Sequence, residues 1–224
     1  VVRSGTNGGS TNSIDQLLGH TKGPVGTPSK ESIKRLRYSK QIVDINFTRL
    51  SSLCEDIATD GFVYYDPAER SDTEGLRANI YADIHNYLSS IYSLVEELHQ
   101  FLNSCVDEMI DNDTFVRGSD RADPSLPPFV KKLVFAWGLR NQFTHGNYRC
   151  LSISKETGSE STYMRVRFHK TRFDPRGNGE LDDVDDYLWS IDENEVTHPM
   201  CYLADLHTHF ITFWNDLIAW SNGD

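Results

Sequence analysis

The sequence predicts a mainly α-helical fold, a bundle of four or five helices with a β-hairpin or small antiparallel sheet inserted before the last helix. Four segments repeat apolar residues every three or four positions, which covers one face of a helix. Two segments within 148–170 alternate apolar and polar residues, as half-buried strands do. We therefore predict one helical domain over 29–224, with 147–192 as an inserted hairpin and loops. Residues 1–28, rich in Gly and Ser, are predicted to form a flexible N-terminal tail.

The first two predicted helices follow this tail. Apolar residues from Ile33 to Ile57 have helical spacing, and Gly61 ends the segment. A loop is predicted through 64–67. The longest periodic stretch comes next, at 76–112, and contains neither Gly nor Pro. An unbroken helix of this length would be roughly 50 Å long, enough to span a bundle.

The third and the last helix flank the inserted sheet. The third helix is predicted from Pro128 to His145, where Gly146 supplies a common helix-terminating residue. The last helix is predicted to begin at Pro199, because proline is well suited to the first helical position. Its apolar stripe continues to Trp220. Between these helices, strands are predicted at the three segments 148–154, 162–170 and 187–191, with a turn at 157–160.

Composition limits the classes of function. The net charge of −11 disfavours binding of nucleic acid by the protein surface as a whole, because polyanion affinity depends on Lys and Arg. A nucleic-acid-binding role would need a local basic patch. The cysteines lie about fifty residues apart, which gives none of the short spacings of zinc or redox sites. We expect buried, reduced thiols in a cytoplasmic protein, with no metal, cofactor, signal sequence or membrane span.

The six residues from Arg140 to His145 are the most informative stretch of the chain. The forked donors of arginine suit phosphate oxygens, and histidine exchanges protons near neutral pH. Asn141 and His145 are four residues apart and share a helix face, which the long Arg140 side chain can also reach. The combination indicates phosphate chemistry. A histidine at a helix C-terminus is also favoured for stability alone, so a purely structural role is the alternative.

This Arg-polar-x-x-x-His pattern, on the third helix of a bundle and behind a long helix, resembles the motif of the HEPN superfamily, which includes many ribonucleases. The resemblance covers roughly residues 75–220. It implies a homodimer in which Arg and His of both protomers line one cleft and RNA is cut without a metal, by attack of the ribose 2′-OH. Arg140 would stabilise charge on the phosphate, His145 would transfer protons, and Asn141 would orient either group. It also implies a toxin or defence role, with an antitoxin or a larger defence complex as partner.

The chain departs from the family pattern at one position. Some members carry a tyrosine two residues after the histidine, where this chain has Asn147. Tyr148 comes one residue later, and we assign it no role in the motif. Two alternatives to a nuclease remain open: a non-catalytic HEPN-like module that binds RNA or a nucleotide, and a helical scaffold that docks through the hairpin.

Basic residues near the motif are candidate RNA contacts, and we take 163–176 as the main basic stretch. The candidates are Lys131, Lys132, Tyr163, Arg165, Arg167 and His169. Period-two spacing puts the last four on one strand face, where they could follow an RNA backbone with an aromatic ring for base stacking. A solvated outer face, balanced by the acidic run at 182–186, is the simpler interpretation. A further alternative is that the acidic run shields the basic strand until RNA displaces it.

Two histidines in the last helix do not predict a metal site. Asp205, His207 and His209 are spaced two residues apart, and such positions on a helix point in different directions. We expect His207 and His209 to be partly buried or on the surface.

Overall fold

The described part of the chain is mostly helical, with a small antiparallel sheet before the last helix. A computed structural model describes residues 26, 28–53, 62–64, 73–106, 129, 136, 139–146, 148–158, 162–169, 195–196 and 199–222. The long helices are α1 (Lys30–Leu53), α2 (Thr73–Asn103) and α4 (Pro199–Asn222). The third helix, α3, is helical at residues 139–144, and positions 129 and 136 upstream are helical too. Residues 1–25 and the candidate strand at 187–191 lie outside these ranges.

Side-chain chemistry sets the ends of the first two helices. α1 begins at Lys30, because the Ser29 hydroxyl oxygen accepts the Ser32 N–H at 3.0 Å and caps the first turn. α2 ends at Asn103, earlier than the predicted 112. The Ser104 N–H donates to the carbonyls of both Gln100 and Phe101, at 3.1 and 3.0 Å. Asn and Ser compete with helical hydrogen bonding, so the last turn tightens and the helix stops.

The sheet is built around its longest strand. The four strands are β1 (Phe62–Tyr64), β2 (Leu151–Thr157), β3 (Thr162–His169) and β4 (Glu195–Val196). β2 pairs with one edge of β3, whereas β1 and β4 pair with the other, all antiparallel. The β2–β3 register runs from Leu151 opposite Phe168 to Thr157 opposite Thr162, which confirms the predicted hairpin. Met164 and Val166 are fully buried, as the alternation predicts.

The two short edge strands were not predicted. Tyr64 belongs to β1, although the sequence assigned it to a loop. Three residues are too few to show alternation, so β1 is recognisable only from its pairing with residues 163–165. β4 has two residues, and it pairs with Phe168 and His169 near the end of β3. Both strands cover an edge that would otherwise leave backbone groups unpaired.

α2 is the central helix of the fold. On one side, the Tyr87 ring contacts Phe47 of α1, with the ring centroids 5.4 Å apart. On the other side, Phe143 of α3 packs against His85 and Tyr81, at centroid distances of 6.2 and 6.3 Å. The step of two residues from His85 to Tyr87 turns a helix by about 200°. α1 and α3 therefore pack on opposite faces of α2.

A half-buried histidine of α4 closes the α1–α2 interface. The His207 ring stacks on Phe47 with centroids 3.7 Å apart and planes within 9°. Its Nδ1 lies 3.4 Å from the Tyr87 hydroxyl. Burial lowers the pKa of His207 to about 4, with smaller opposing effects from Asp44, which raises it, and Lys40. His207 is thus partly buried, as the sequence predicts.

Two expectations from composition can be checked within the described ranges. Cys105 is a buried free thiol, as predicted for it, and burial raises the pKa of that thiol. No helix there combines the length and the hydropathy needed to cross a membrane.

Candidate functional site

α3 holds the polar motif residues beside a buried anchor. Leu139 and Phe143 are fully buried, and because they are four residues apart they share the face that packs on α2. Arg140 and Asn141 are half-buried at the edge of this face. The apolar pair fixes the helix, so the first two motif residues are held in position by packing elsewhere on the same turn.

His145 lies just beyond the end of α3, in the turn that closes it. Gly146 has a φ of 75°, and its N–H donates to the Phe143 carbonyl at 3.0 Å. This left-handed conformation ends the helix, as the sequence predicts. The backbone N–H of His145 still donates to the Asn141 carbonyl at 3.0 Å, while its side chain is exposed. The imidazole is therefore accessible to a ligand from solvent.

The Arg140 guanidinium is fixed by two contacts. Its centre lies 4.5 Å from the ring centroid of Tyr92 on α2, a cation–π arrangement. Its Nη1 donates to the Asn141 Oδ1 at 3.0 Å, which joins two motif residues directly. The Nε–H is buried and meets no acceptor within the described ranges. A buried donor without an acceptor is costly, so this arginine is a place where an additional acceptor would be favourable.

An open hollow of about 630 Å³ begins at Gly146, the residue that follows His145. Its lining includes Gly146, Tyr148, Arg149 and Tyr81, together with the first residues of β2. The rings of Tyr81 and Tyr148 meet edge to face, with centroids 5.7 Å apart. The Tyr148 ring is 45% exposed, whereas the Tyr81 hydroxyl donates to the Leu151 carbonyl at 2.8 Å. The hollow thus offers aromatic surface and one arginine beside the motif histidine.

The Arg140 guanidinium and the hollow lie against α2 at different positions along the helix axis. Arg140 contacts Tyr92, whereas the hollow is lined by Tyr81, eleven residues earlier on the same helix. That separation corresponds to about 16 Å along the axis. Arg140 is not among the residues that line the hollow, and the motif reaches the hollow through Gly146, next to His145, rather than through His145 itself. Within the described part of one chain, the arginine and the space beside His145 therefore form two halves rather than one pocket.

The structure describes the backbone of the predicted basic strand but only some of its side chains. The Arg165 Nε lies 3.3 Å from the Glu156 Oε1 on the neighbouring strand, and this ion pair offsets its charge. The backbones of Tyr163, Arg167 and His169 lie on β3 together with Arg165. The side chains of these three residues lie outside the described set, as do Lys131 and Lys132.

Several residues around the motif were missed from the sequence. Tyr92, Tyr81 and His85 share one face of α2 at spacings of four and seven, so their aromatic character was a usable signal. Arg149 and the hollow had no such signal, because they depend on how β2 leaves the motif turn. Comparison with known protein families, with curated proteins and with solved structures gave no match for this chain.

Proposed function

We propose that this protein is a metal-independent endoribonuclease of the HEPN type, working as a homodimer on RNA. The observation that carries the proposal is the placement of the motif: Arg140 is hydrogen-bonded to Asn141, and His145 is exposed in a turn whose next residue, Gly146, lines an open hollow. A purely structural histidine at a helix end needs no adjacent space. The hollow gives this one room for a substrate.

The proposed reaction needs proton transfer and charge stabilisation, and the motif supplies both. The ribose 2′-OH attacks the adjacent phosphorus and loses its proton, while the 5′-oxygen leaves and gains one. The products are a 2′,3′-cyclic phosphate and a 5′-hydroxyl. His145 exchanges these protons, and Arg140 stabilises the added negative charge on the phosphate oxygens. Asn141 orients the guanidinium through their hydrogen bond.

A homodimer would bring the two half-sites together. In one chain, Arg140 and the hollow beside His145 contact levels of α2 about 16 Å apart. A two-fold axis near α3 would place Arg140 of one protomer opposite the His145 of its partner. The composite cleft would then contain two arginines and two histidines. The corresponding biological role, taken from the family resemblance, is that of a toxin or defence effector with an antitoxin or a larger complex as partner.

The hollow suggests how RNA would be held. The exposed Tyr148 ring can stack on a nucleobase, which is favourable for any base because every base has a π face. Arg149, also in the lining, can contact a neighbouring phosphate. These two residues give binding without sequence specificity, which compensates for the acidic surface elsewhere.

The test is cleavage of a defined RNA oligonucleotide in the presence of EDTA. We expect cyclic-phosphate ends from the wild-type protein and at least a 100-fold loss of rate in Arg140→Ala and in His145→Ala. Arg37→Ala, an exposed arginine of α1, is the matched control and should cleave normally. Sedimentation of the wild-type protein gives its oligomeric state. Cleavage that survives both motif substitutions, or a monomer that cleaves, would refute the composite site.

One observation favours a second function, a non-catalytic module that binds RNA or a nucleotide. The Arg140 side chain is already held by Tyr92 and Asn141, as a binding or interface residue would be. In that case the wild-type protein binds RNA without cutting it, and His145→Ala weakens binding only slightly. A protein that neither binds nor cuts RNA would instead be a scaffold.

A further inference from the structure

α1 has a charge opposite to that of the rest of the protein. The helix contains six Lys or Arg residues against two carboxylates. The other 200 residues contain 16 Lys or Arg against 31 Asp or Glu. Five of the α1 cations fall within residues 30–40, which is denser than the predicted main basic stretch at 163–176. The strongest basic segment of this acidic protein is therefore its first helix.

The outer face of α1 also exposes large apolar side chains. Tyr38, Ile42 and Ile45 are 55%, 53% and 54% exposed, the largest exposures among the large apolar residues of the described ranges. They follow one another at spacings of four and three, so they form a continuous stripe. The opposite face of α1 buries Leu36 and Val43 in the core, so the stripe is not the face by which α1 packs in the monomer. A contiguous stripe of large apolar side chains that the monomer leaves half exposed is typical of an interaction surface, so the stripe calls for a partner.

The stripe has the pattern of a coiled-coil seam with charged ends. Continuing the same alternation of four and three in both directions reaches Arg35 before the stripe and Arg49 after it, and both are exposed. Apolar residues in the middle of such a seam supply contact area, and the arginines at its ends select the partner by charge. The Lys34 Nζ lies 5.8 Å from the Tyr38 ring centroid and adds positive charge beside the seam.

The charges decide which partner fits. A second copy of α1 would bring arginine against arginine, since a parallel pair aligns Arg35 with Arg35 and an antiparallel pair aligns Arg35 with Arg49. Like charges facing each other across a seam are unfavourable. We propose that the outer face of α1 docks an acidic amphipathic helix of a protein partner, with apolar residues against Tyr38, Ile42 and Ile45 and carboxylates against the two arginines.

This surface is separate from the motif. α1 and α3 pack on opposite faces of α2, so a helix bound to the outside of α1 would not cover Arg140 or His145. The proposal therefore does not depend on the proposed nuclease activity, and either can fail alone. It gives the protein a docking surface that leaves its candidate site open.

The test uses a designed 22-residue peptide labelled for fluorescence anisotropy, with leucine at the central seam positions and glutamate at the two seam ends and at the flanking positions. The wild-type protein should bind it with micromolar affinity that falls as salt rises. Ile42→Ser and Ile45→Ser should each weaken binding about tenfold. Because both side chains are exposed, thermal unfolding should be unchanged, which separates loss of binding from loss of folding.

Charge-reversal variants on and off the seam distinguish docking along the seam from general attraction of an anionic peptide. Arg35→Glu and Arg49→Glu should weaken binding about tenfold, whereas Arg37→Glu, exposed but off the seam, should weaken it less than about threefold. Equal effects of all three, or failure of the peptide to bind, would overturn the proposal. The proposal would also be overturned if the protein associated with itself, bound poly(U) RNA or bound phosphatidylserine vesicles, and Ile42→Ser abolished that interaction. Each of these results would assign the face to another occupant.

Discussion

Acid should destabilise this protein through His207. Its ring lies between Phe47 and the Tyr87 hydroxyl, and burial lowers its pKa to about 4 in the folded state. In the unfolded chain the pKa returns to about 6.5. Between these values the unfolded state binds the proton more tightly, so stability falls as the pH falls from about 6.5 to 4. Below that window both states are protonated, and His207 causes no further loss.

The size of the effect follows from the shift and the surroundings of the ring. A shift of about 2.5 pH units corresponds to roughly 3 kcal/mol at 25 °C. The ring keeps partial contact with solvent, so we halve this value to about 1.5 kcal/mol to allow for screening. Asp44 raises the pKa and Lys40 lowers it, so their effects oppose each other and burial decides the direction.

Urea denaturation at pH 7.5, 6, 5 and 4 measures this effect when the wild-type protein is compared with His207→Gln. Glutamine does not titrate but can still form a hydrogen bond with the Tyr87 hydroxyl. All other ionisable groups are common to the two proteins, so their effects cancel in the difference. The wild-type protein should lose about 1.5 kcal/mol more than the variant across the window. If both proteins lost the same free energy of unfolding as the pH fell, the buried ring would not resist protonation. His209→Gln is the control for replacing a histidine of α4 by glutamine.

Three further predictions concern the motif and the sheet. Gly146→Ala should lower the free energy of unfolding by about 1 kcal/mol in urea titrations, because φ is 75° there but no atom lies within 4 Å of an added Cβ. Tyr92→Leu should slow RNA cleavage several-fold by releasing the Arg140 guanidinium, whereas Tyr92→Phe keeps the ring and should cleave normally. Equal rates in both variants would contradict a positioning role for the ring. Glu156→Gln should raise RNA affinity about two- to threefold at low salt by removing the partner of Arg165, with stability nearly unchanged because the pair is partly exposed. Arg165→Glu should shift affinity the other way, and no change in either variant would remove the strand from the RNA-binding surface.

The fold could be predicted from the sequence wherever a local signal determines it. Ser29 caps α1 and Pro199 begins α4, and each belongs to a residue type whose chemistry suits that position. The β2–β3 hairpin follows from alternation alone. β1 and β4 were missed because a strand of two or three residues is specified by its pairing with β3, a contact between distant segments. The end of α2 was missed because periodicity continues past Asn103 although the backbone turns there.

The residues of the candidate site were also predictable only where a local sequence signal marks them. Arg140, Asn141 and His145 were found because they belong to one short motif on one helix. Tyr92 lies nearly fifty residues earlier in the chain, and its contact with Arg140 exists only because α3 packs on α2. The basic character of α1 was visible in the sequence, but its outward direction was not. Which face of a helix is buried depends on the neighbouring helices.

The central position of α2 has a consequence for hydrogen exchange. One face of this helix is covered by α1 and the opposite face by α3, so neither neighbour can detach without exposing part of it. Amide protons in the middle of α2 should therefore exchange with deuterium only when the whole domain unfolds. Those of the α3 turn, next to exposed His145, should exchange through local opening. The expected pattern is a slowly exchanging α2 beside a turn at the end of α3 that opens locally, and the rate at which that turn opens can be measured without unfolding the rest.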